Sequence, residues 1–298
     1  MNPAGHDLYL RLEATAEGGA RVTLQREGDA PEPAADVADA DPARLEARYL
    51  QPLRAFIETP VSPELLLELG RALAGLLLPD RVRARLITEA ARVGAATPLR
   101  LRLTASDPWL AGLPWEFAYL EEIFPGDPGR FLGLHPRLIL IRQPSAHRTI
   151  APVEADPLRI LVAWADPGSA AYPALPGLQA EVKSILAETR APRLRGRVEV
   201  ETLRSATPGA LKRLLEEFSP HVLHFLGHGD AGPSGGFLVL EGDRPGAEKR
   251  LYADELARCL AGTPARLVVL SACRTGAPSA GIAQTLAEAG IGAVVGMQ

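Results

Sequence analysis

Cysteine is scarce: the 298 residues include two, Cys259 and Cys273. A small secreted scaffold stapled by disulfides carries more, so a reducing, cytoplasmic setting is expected. Lysine is nearly as rare. Only Lys183, Lys212 and Lys249 interrupt the arginines among 32 basic residues. A GC-rich coding bias produces that pattern, so arginine content alone carries little functional meaning. Aromatic residues make up 5%, the formal net charge is −4, and no basic patch stands out. That leaves little support for nucleic-acid binding. No apolar run approaches the roughly 18 residues of a membrane helix. The start, Met-Asn-Pro-Ala-Gly-His-Asp, lacks the basic and apolar regions of a signal peptide. No partner nucleic acid and no membrane are therefore expected. Neither a CxxC nor an HExxH frame occurs, and no G-x-G-x-x-G follows the first strand of the C-terminal half. No metal and no cofactor are expected. Repeats with a period of 20–50 residues are also missing.

What is present is an ordinary globular balance, 47% hydrophobic and 23% charged, enough for one large core or two modest ones. Residues 7–26 alternate around Glu17-Gly18-Gly19 and predict a hairpin. Residues 28–42, rich in Asp, Ala, Pro and Gly, predict a mobile loop. Helical spacing runs from Pro42 to Val93, with Ser62-Pro63-Glu64 as a start signal and Leu65, Leu66, Leu69 and Leu73 as an apolar face. Strands are expected at Leu99–Thr104 and within Phe131–Ile141. Ala146–Pro157 is polar and contains proline, which makes it the best linker.

Beyond that linker, strand and helix patterns alternate. Strands are predicted at Leu158–Trp164, Val198–Leu203, Val222–Leu226, Leu267–Leu270 and Ile291–Val295. Helices are predicted at Leu178–Thr189, after Thr207-Pro208, at Asp254–Leu260 and at Gly281–Ala289. A small hairpin is predicted from Phe237–Glu241 and Arg250–Tyr252. Such alternation implies a parallel sheet with helices on both faces. The chain stops on the last of these strands. Natural domains seldom end there, so a C-terminal truncation is expected.

Two apolar segments stop at reactive side chains: His-Val-Leu-His-Phe-Leu-Gly-His-Gly at 221–229 and Leu-Val-Val-Leu-Ser-Ala-Cys at 267–273. His228 as base and Cys273 as nucleophile, each at the end of a core strand, suit thiol acyl transfer. The C-terminal edge of a parallel sheet is where ligands bind. One crossover plus a hairpin separates the two, which predicts neighbouring or near-neighbouring strands. On a continuous strand His224 and His228 share a face, and His224 is read as a supporting or buried residue. Cys259 lies on an amphipathic helix and is read as a packing residue. An α/β-hydrolase elbow fails, because Ser271 and Thr275 stand where small residues are needed and the order of nucleophile and histidine is reversed.

The segments His-Phe-Leu-Gly-His-Gly and Leu-Ser-Ala-Cys-Arg-Thr-Gly resemble the CHAT family, bacterial and eukaryotic caspase-like proteins related to separases. Leu113-Pro114-Trp115-Glu116, Leu175-Pro176-Gly177-Leu178 with Glu181, and Gly292–Gln298 are similar to further elements of that family. The resemblance implies a caspase-like three-layer α/β/α sandwich with a mostly parallel sheet at 150–298, preceded by a degenerate helical and β lobe, non-catalytic, at 1–145. It implies a cysteine endopeptidase with a His228–Cys273 dyad and an oxyanion hole from the backbone N–H groups of Gly229 and Cys273. Asp230, Ser271 and Ala272 are candidates for the substrate pocket. In caspase-like folds the residue two before the cysteine helps form that pocket. Ser271 is neutral, so an acid for an arginine substrate has to come from Asp230 or from beyond Gln298. The implied partners are a protein substrate and a regulatory or activating protein, in bacterial stress or anti-phage defence. The alternative is a catalytically silent caspase-like adaptor that binds peptides or a partner protein.

Overall fold

The computed structural model describes residues 6–17, 19–29, 34–38, 42–51, 61–94, 97–144, 154–232, 234–273, 275–276 and 281–297. The chain divides into two units, Met1–Ser145 and Ala146–Gln298.

In the first unit, β1 (Asp7–Ala14) and β2 (Ala20–Arg26) form the expected antiparallel hairpin, with Leu10 opposite Leu24 and Leu12 opposite Val22. Alternation places Leu8, Leu10 and Leu12 in the core, while Arg11 and Glu13 are exposed. The expectation of a loop over 28–42 needs correction: β3 (Ala34–Ala38) pairs antiparallel with β2. The ladder groups of β2 recruit this alanine-rich segment against its weak strand propensity. Helix α1 (Pro63–Leu77) starts on Ser62, whose Oγ accepts the Leu65 N–H at 3.2 Å. It buries Leu69, Leu73, Leu76 and Leu77, and α2 (Asp80–Arg92) adds Val82, Leu86 and Ala90 to the same core. Strand β4 (Leu99–Ala105) runs parallel to β1. The short β5 (Tyr119–Leu120) and β6 (Arg130–Phe131) pair with each other, and β7 (Leu138–Arg142) completes the main sheet beside β4.

The second unit is built on five parallel strands: β8 (Leu158–Trp164), β9 (Val198–Leu203), β10 (Val222–Leu226), β14 (Leu267–Ser271) and β15 (Ala293–Gly296). Their order is β15-β14-β10-β8-β9. Alternate residues of these strands point to opposite faces. Leu161, Ala163, Leu223, Phe225, Val268 and Leu270 face one core. It is completed by Leu211 and Leu215 of α4 (Pro208–Phe218), Leu256 and Leu260 of α5 (Ala253–Ala261), and Ile282 and Leu286 of α6 (Ile282–Glu288). Val162, Trp164 and Leu226 face the other way, onto Leu178 and Val182 of α3 (Leu178–Glu188). Each fully buried leucine contributes about 1.5–3 kcal/mol, so a few per helix hold both layers on the sheet. Thr207 caps α4 as expected: its Oγ1 accepts the Ala210 N–H at 3.3 Å, and Pro208 occupies the first turn.

A second sheet interrupts this alternation. Strands β11 (His228–Gly232), β12 (Gly235–Glu241) and β13 (Glu248–Tyr252) form an antiparallel meander. The expected hairpin is its β12–β13 half, and β11 is an addition. His224 and His228 therefore do not share a strand face. Strand β10 ends at Leu226, Gly227 turns the chain, and His228 opens a different sheet. Only glycine fits at that turn, because a Cβ on Gly227 would lie 2.7 Å from the Ala165 carbonyl oxygen.

Candidate functional site

Strands β10 and β14 are direct parallel neighbours, with Leu226 beside Ser271. The segments carrying His228 and Cys273 leave the sheet side by side at its C-terminal edge, and the Gly227 N–H donates to the Ser271 carbonyl at 3.2 Å. The close approach continues beyond the strands. A Cβ placed on Gly229 would lie 2.9 Å from the Cys273 carbonyl oxygen, 2.8 Å from Thr275 Cγ2 and 3.2 Å from Ala272 Cβ. The His-Gly pair and the cysteine turn are thus in contact through a glycine that leaves no space between them.

Each partner is held from below. Thr275 is fully buried, and its hydroxyl donates to the Ala272 carbonyl at 2.8 Å and accepts the Met297 N–H at 3.1 Å. The Gly276 N–H donates to the Met297 carbonyl at 2.6 Å. These bonds fasten Thr275 and Gly276 to the end of β15, and the Cys273 side chain is exposed. Sequence reasoning missed Thr275 as a peg, although it sits inside the Cys-Arg-Thr-Gly motif.

On the other side, His228 Nε2 lies 2.7 Å from the carbonyl oxygen of Pro173. A carbonyl only accepts, so Nε2 carries a proton, and in the neutral ring Nδ1 holds the lone pair. The Tyr172 ring packs beside the imidazole, with centroids 5.4 Å apart. Pro173 belongs to the loop that follows β8. Its main-chain role is invisible in a sequence, because any residue supplies a carbonyl. Asp166, near the loop's start, closes it by accepting the Leu175 N–H at 3.1 and 3.2 Å on its two oxygens.

The other expected site residues are placed as follows. Asp230 lies on β11 opposite Phe237, and its Oδ1 accepts the Ala231 N–H at 2.8 Å. Ser271 is half-buried, with Oγ 3.2 Å from His224 Nε2. Ala272 is buried in the core beneath the turn. His224 therefore supports Ser271. His221 sits at the opposite end of β10, where its Nδ1 accepts the Arg159 N–H at 3.0 Å. Among the described residues, no three His, Cys, Asp or Glu side chains gather as metal ligands. Cys259 packs against the main core of the second unit, and burial pushes its thiol above the usual range. A thiol raised in this way is a poor nucleophile near neutrality.

The sequence model of the CHAT domain matches residues 67–298. The chain belongs to the CHAT domain family. That family is related to the caspase-like cysteine proteases. Comparison with curated proteins gives no match. The CHAT match begins inside α1, so it takes in the Leu113-Pro114-Trp115-Glu116 segment as well as the second unit. In this CHAT domain the segment is a structural clip. Glu116 takes two bonds from Arg142, at 2.8 and 2.7 Å, and the same guanidinium donates to the Ala111 and Leu113 carbonyls, both at 2.8 Å. Trp115 is fully buried and donates its Nε1–H to the Leu110 carbonyl at 2.9 Å. Among the described residues, no helix is long and apolar enough to cross a membrane.

Three of the CHAT domain's histidines are held below their usual pKa. Burial is the main cause at each, opposed by Asp127 at His135 and by Glu181 at His224, and reinforced by Arg159 and Arg266 at His221. The unfolded chain protonates these rings below about pH 6.5, while the folded chain still resists. Stability therefore falls as pH drops from about 6.5 toward the lowered folded values. Thermal melts between about pH 7 and pH 5 should show a decreasing Tm. His221→Asn, which keeps an acceptor for the Arg159 N–H, should flatten that slope. Parallel slopes in the two proteins would exclude His221 as a contributor.

Proposed function

We propose that this CHAT domain is a cysteine endopeptidase acting on a partner protein through His228 and Cys273. The observation that carries the reading is the Gly229 contact, which brings the histidine strand and the cysteine turn together at the C-terminal edge of the parallel sheet. His228 Nδ1 takes the proton of the Cys273 thiol, and the thiolate attacks the scissile carbonyl carbon. The N–H groups of Gly229 and Cys273 receive the developing oxyanion. The imidazolium returns its proton to the departing amine, and water then hydrolyses the thioester. Pro173 binds the Nε2–H throughout and so keeps Nδ1 as the working nitrogen. Asp230 and Ser271 flank the pocket for the residue before the cleaved bond, and Ala272 contributes there through its backbone. The arrangement around this pocket is caspase-like, with the first unit as a non-catalytic lobe. Cleavage is switched on by a signal.

A peptidyl acyloxymethyl ketone tests this, because only an activated thiolate displaces its leaving group quickly. Rapid labelling at Cys273, retained in Cys259→Ala and lost in Cys273→Ala, is the expected result. A chain that binds peptides reversibly and leaves the electrophile unreacted is instead the catalytically silent adaptor.

A further inference from the structure

Strands β12 and β13 place two carboxylates directly opposite each other, Glu241 and Glu248. Like charges in that position repel and weaken a strand pair. The nearby cation Lys249 is engaged by Asp243 at 2.8 Å. Arg250, one row along on the same face, attracts Glu248 but stacks its guanidinium on the Phe237 ring. What meets both carboxylates is the loop after β8. Glu241 Oε1 accepts the Asp166 N–H at 3.0 Å. Glu248 Oε2 accepts the Ser169 hydroxyl, and Ser169 Oγ in turn accepts the Tyr172 N–H at 3.1 Å. Tyr172 and Pro173 both touch His228. Residues 228, 239 and 250 form one row of the meander, and 241 and 248 the next, on the same face. One small sheet therefore carries both the imidazole and the two carboxylates that hold the loop against it.

We infer that Glu241 and Glu248 are positioning residues: together they clamp the 165–177 loop so that the Pro173 carbonyl fixes the tautomer and orientation of His228. The inference rests on the reading of His228 and Cys273 as the reacting pair. Hydrogen-bonded carboxylates opposite one another are costly for sheet stability alone, and the loop contacts account for them. Glu248 reaches Pro173 through a chain of two side-chain bonds, Glu248 to Ser169 and Ser169 to the Tyr172 main chain.

The test reads His228 directly and Cys273 separately in the full chain. Nitrogen-15 NMR of the histidine rings, with His228 assigned by its loss in His228→Asn, reports the tautomer. Iodoacetamide alkylation across pH reports the Cys273 thiolate. In the wild type, His228 should be the Nε2–H tautomer. Glu248→Ala should mix the two tautomers and slow alkylation of Cys273 by about ten- to a hundredfold, the size expected for a misplaced reacting group. Ser169→Ala reads the same bond from the loop side and should match it, should Glu248→Ala fold poorly. The double variant should be no worse than either single change. Glu248→Gln keeps an acceptor oxygen and should restore both signals, which a purely charge-based role would not allow. An unchanged His228 spectrum in folded Glu248→Ala and Ser169→Ala overturns the clamp. Slow alkylation in the wild type, with a fixed His228 tautomer that the clamp variants still disturb, supports the clamp and overturns the proposed dyad.

Discussion

Cys273→Ala should give a folded chain that cleaves no peptide bond, with turnover down by about 10⁴-fold or more. In the proposed mechanism the thiolate sulfur bonds to the substrate, so no neighbouring group replaces it. His228→Ala should fall to the same level, and the double variant no further, because a nucleophile and base paired as proposed act as one unit. Stability should hardly move. Cys273 is exposed, and exposed substitutions usually stay within about 0.5 kcal/mol. His228→Ala loses one bond to the Pro173 carbonyl, worth about 1 kcal/mol net. The measurement pairs cleavage of a fluorogenic peptide library with a melting curve for each protein. Cleavage that survives in Cys273→Ala would assign the activity to another group. Loss of cleavage with a collapsed melting curve would show that the residue serves the fold.

The parallel sheet was legible because its strands are uninterrupted apolar runs. Leu158–Trp164 and Val222–Leu226 match their predicted spans residue for residue. Both faces of those strands are buried against helices, which removes the alternation that would otherwise mark a half-exposed strand. The cap at Thr207 was legible for a local reason, since Thr followed by Pro has few other uses. Strand β3 was not legible. Its five residues have no apolar stripe and form a strand because β2 offers them a partner. The start of β11 was hidden for a related reason. His-Gly-Asp-Ala-Gly has little strand propensity, and its pairing with β12 defines it. For the candidate site, the side chains His228 and Cys273 are visible in sequence as reactive residues after apolar runs. The groups that orient them are main-chain carbonyls, a buried hydroxyl and two carboxylates on a hairpin. None of those carries a residue-type signature, so Pro173, Thr275, Glu241 and Glu248 emerge only in three dimensions.

The contact that joins the two halves of the site is the most sensitive point for substitution. Gly229→Ala adds one methyl group, and three neighbours already occupy its place. The new Cβ would lie 2.8 Å from Thr275 Cγ2 and 2.9 Å from the Cys273 carbonyl oxygen, both inside normal contact distance. Thr275 cannot swing away, because its hydroxyl is bonded on both sides within the core. Strand β11 cannot retreat easily either, since Gly229 pairs with Leu238, which is fully buried. Cys273, the exposed residue of the pair of contacts, is left to yield. Overpacking of this kind costs about 1–3 kcal/mol, and displacement of a nucleophile by about 1 Å costs roughly a hundredfold in rate. Gly229→Ala should therefore lower kcat/KM and the alkylation rate of Cys273 far more than its modest drop in Tm would suggest. Gly232→Ala is the matched control on the same strand. Among the described residues its Cβ would meet only Phe237 Cε1 at 3.9 Å, an ordinary contact, so rate and Tm should both stay at wild-type values. A Gly229→Ala protein that reacts and melts like the control would mean that the cysteine turn is not held against the histidine strand, and the proposed site would lose the contact on which it is built.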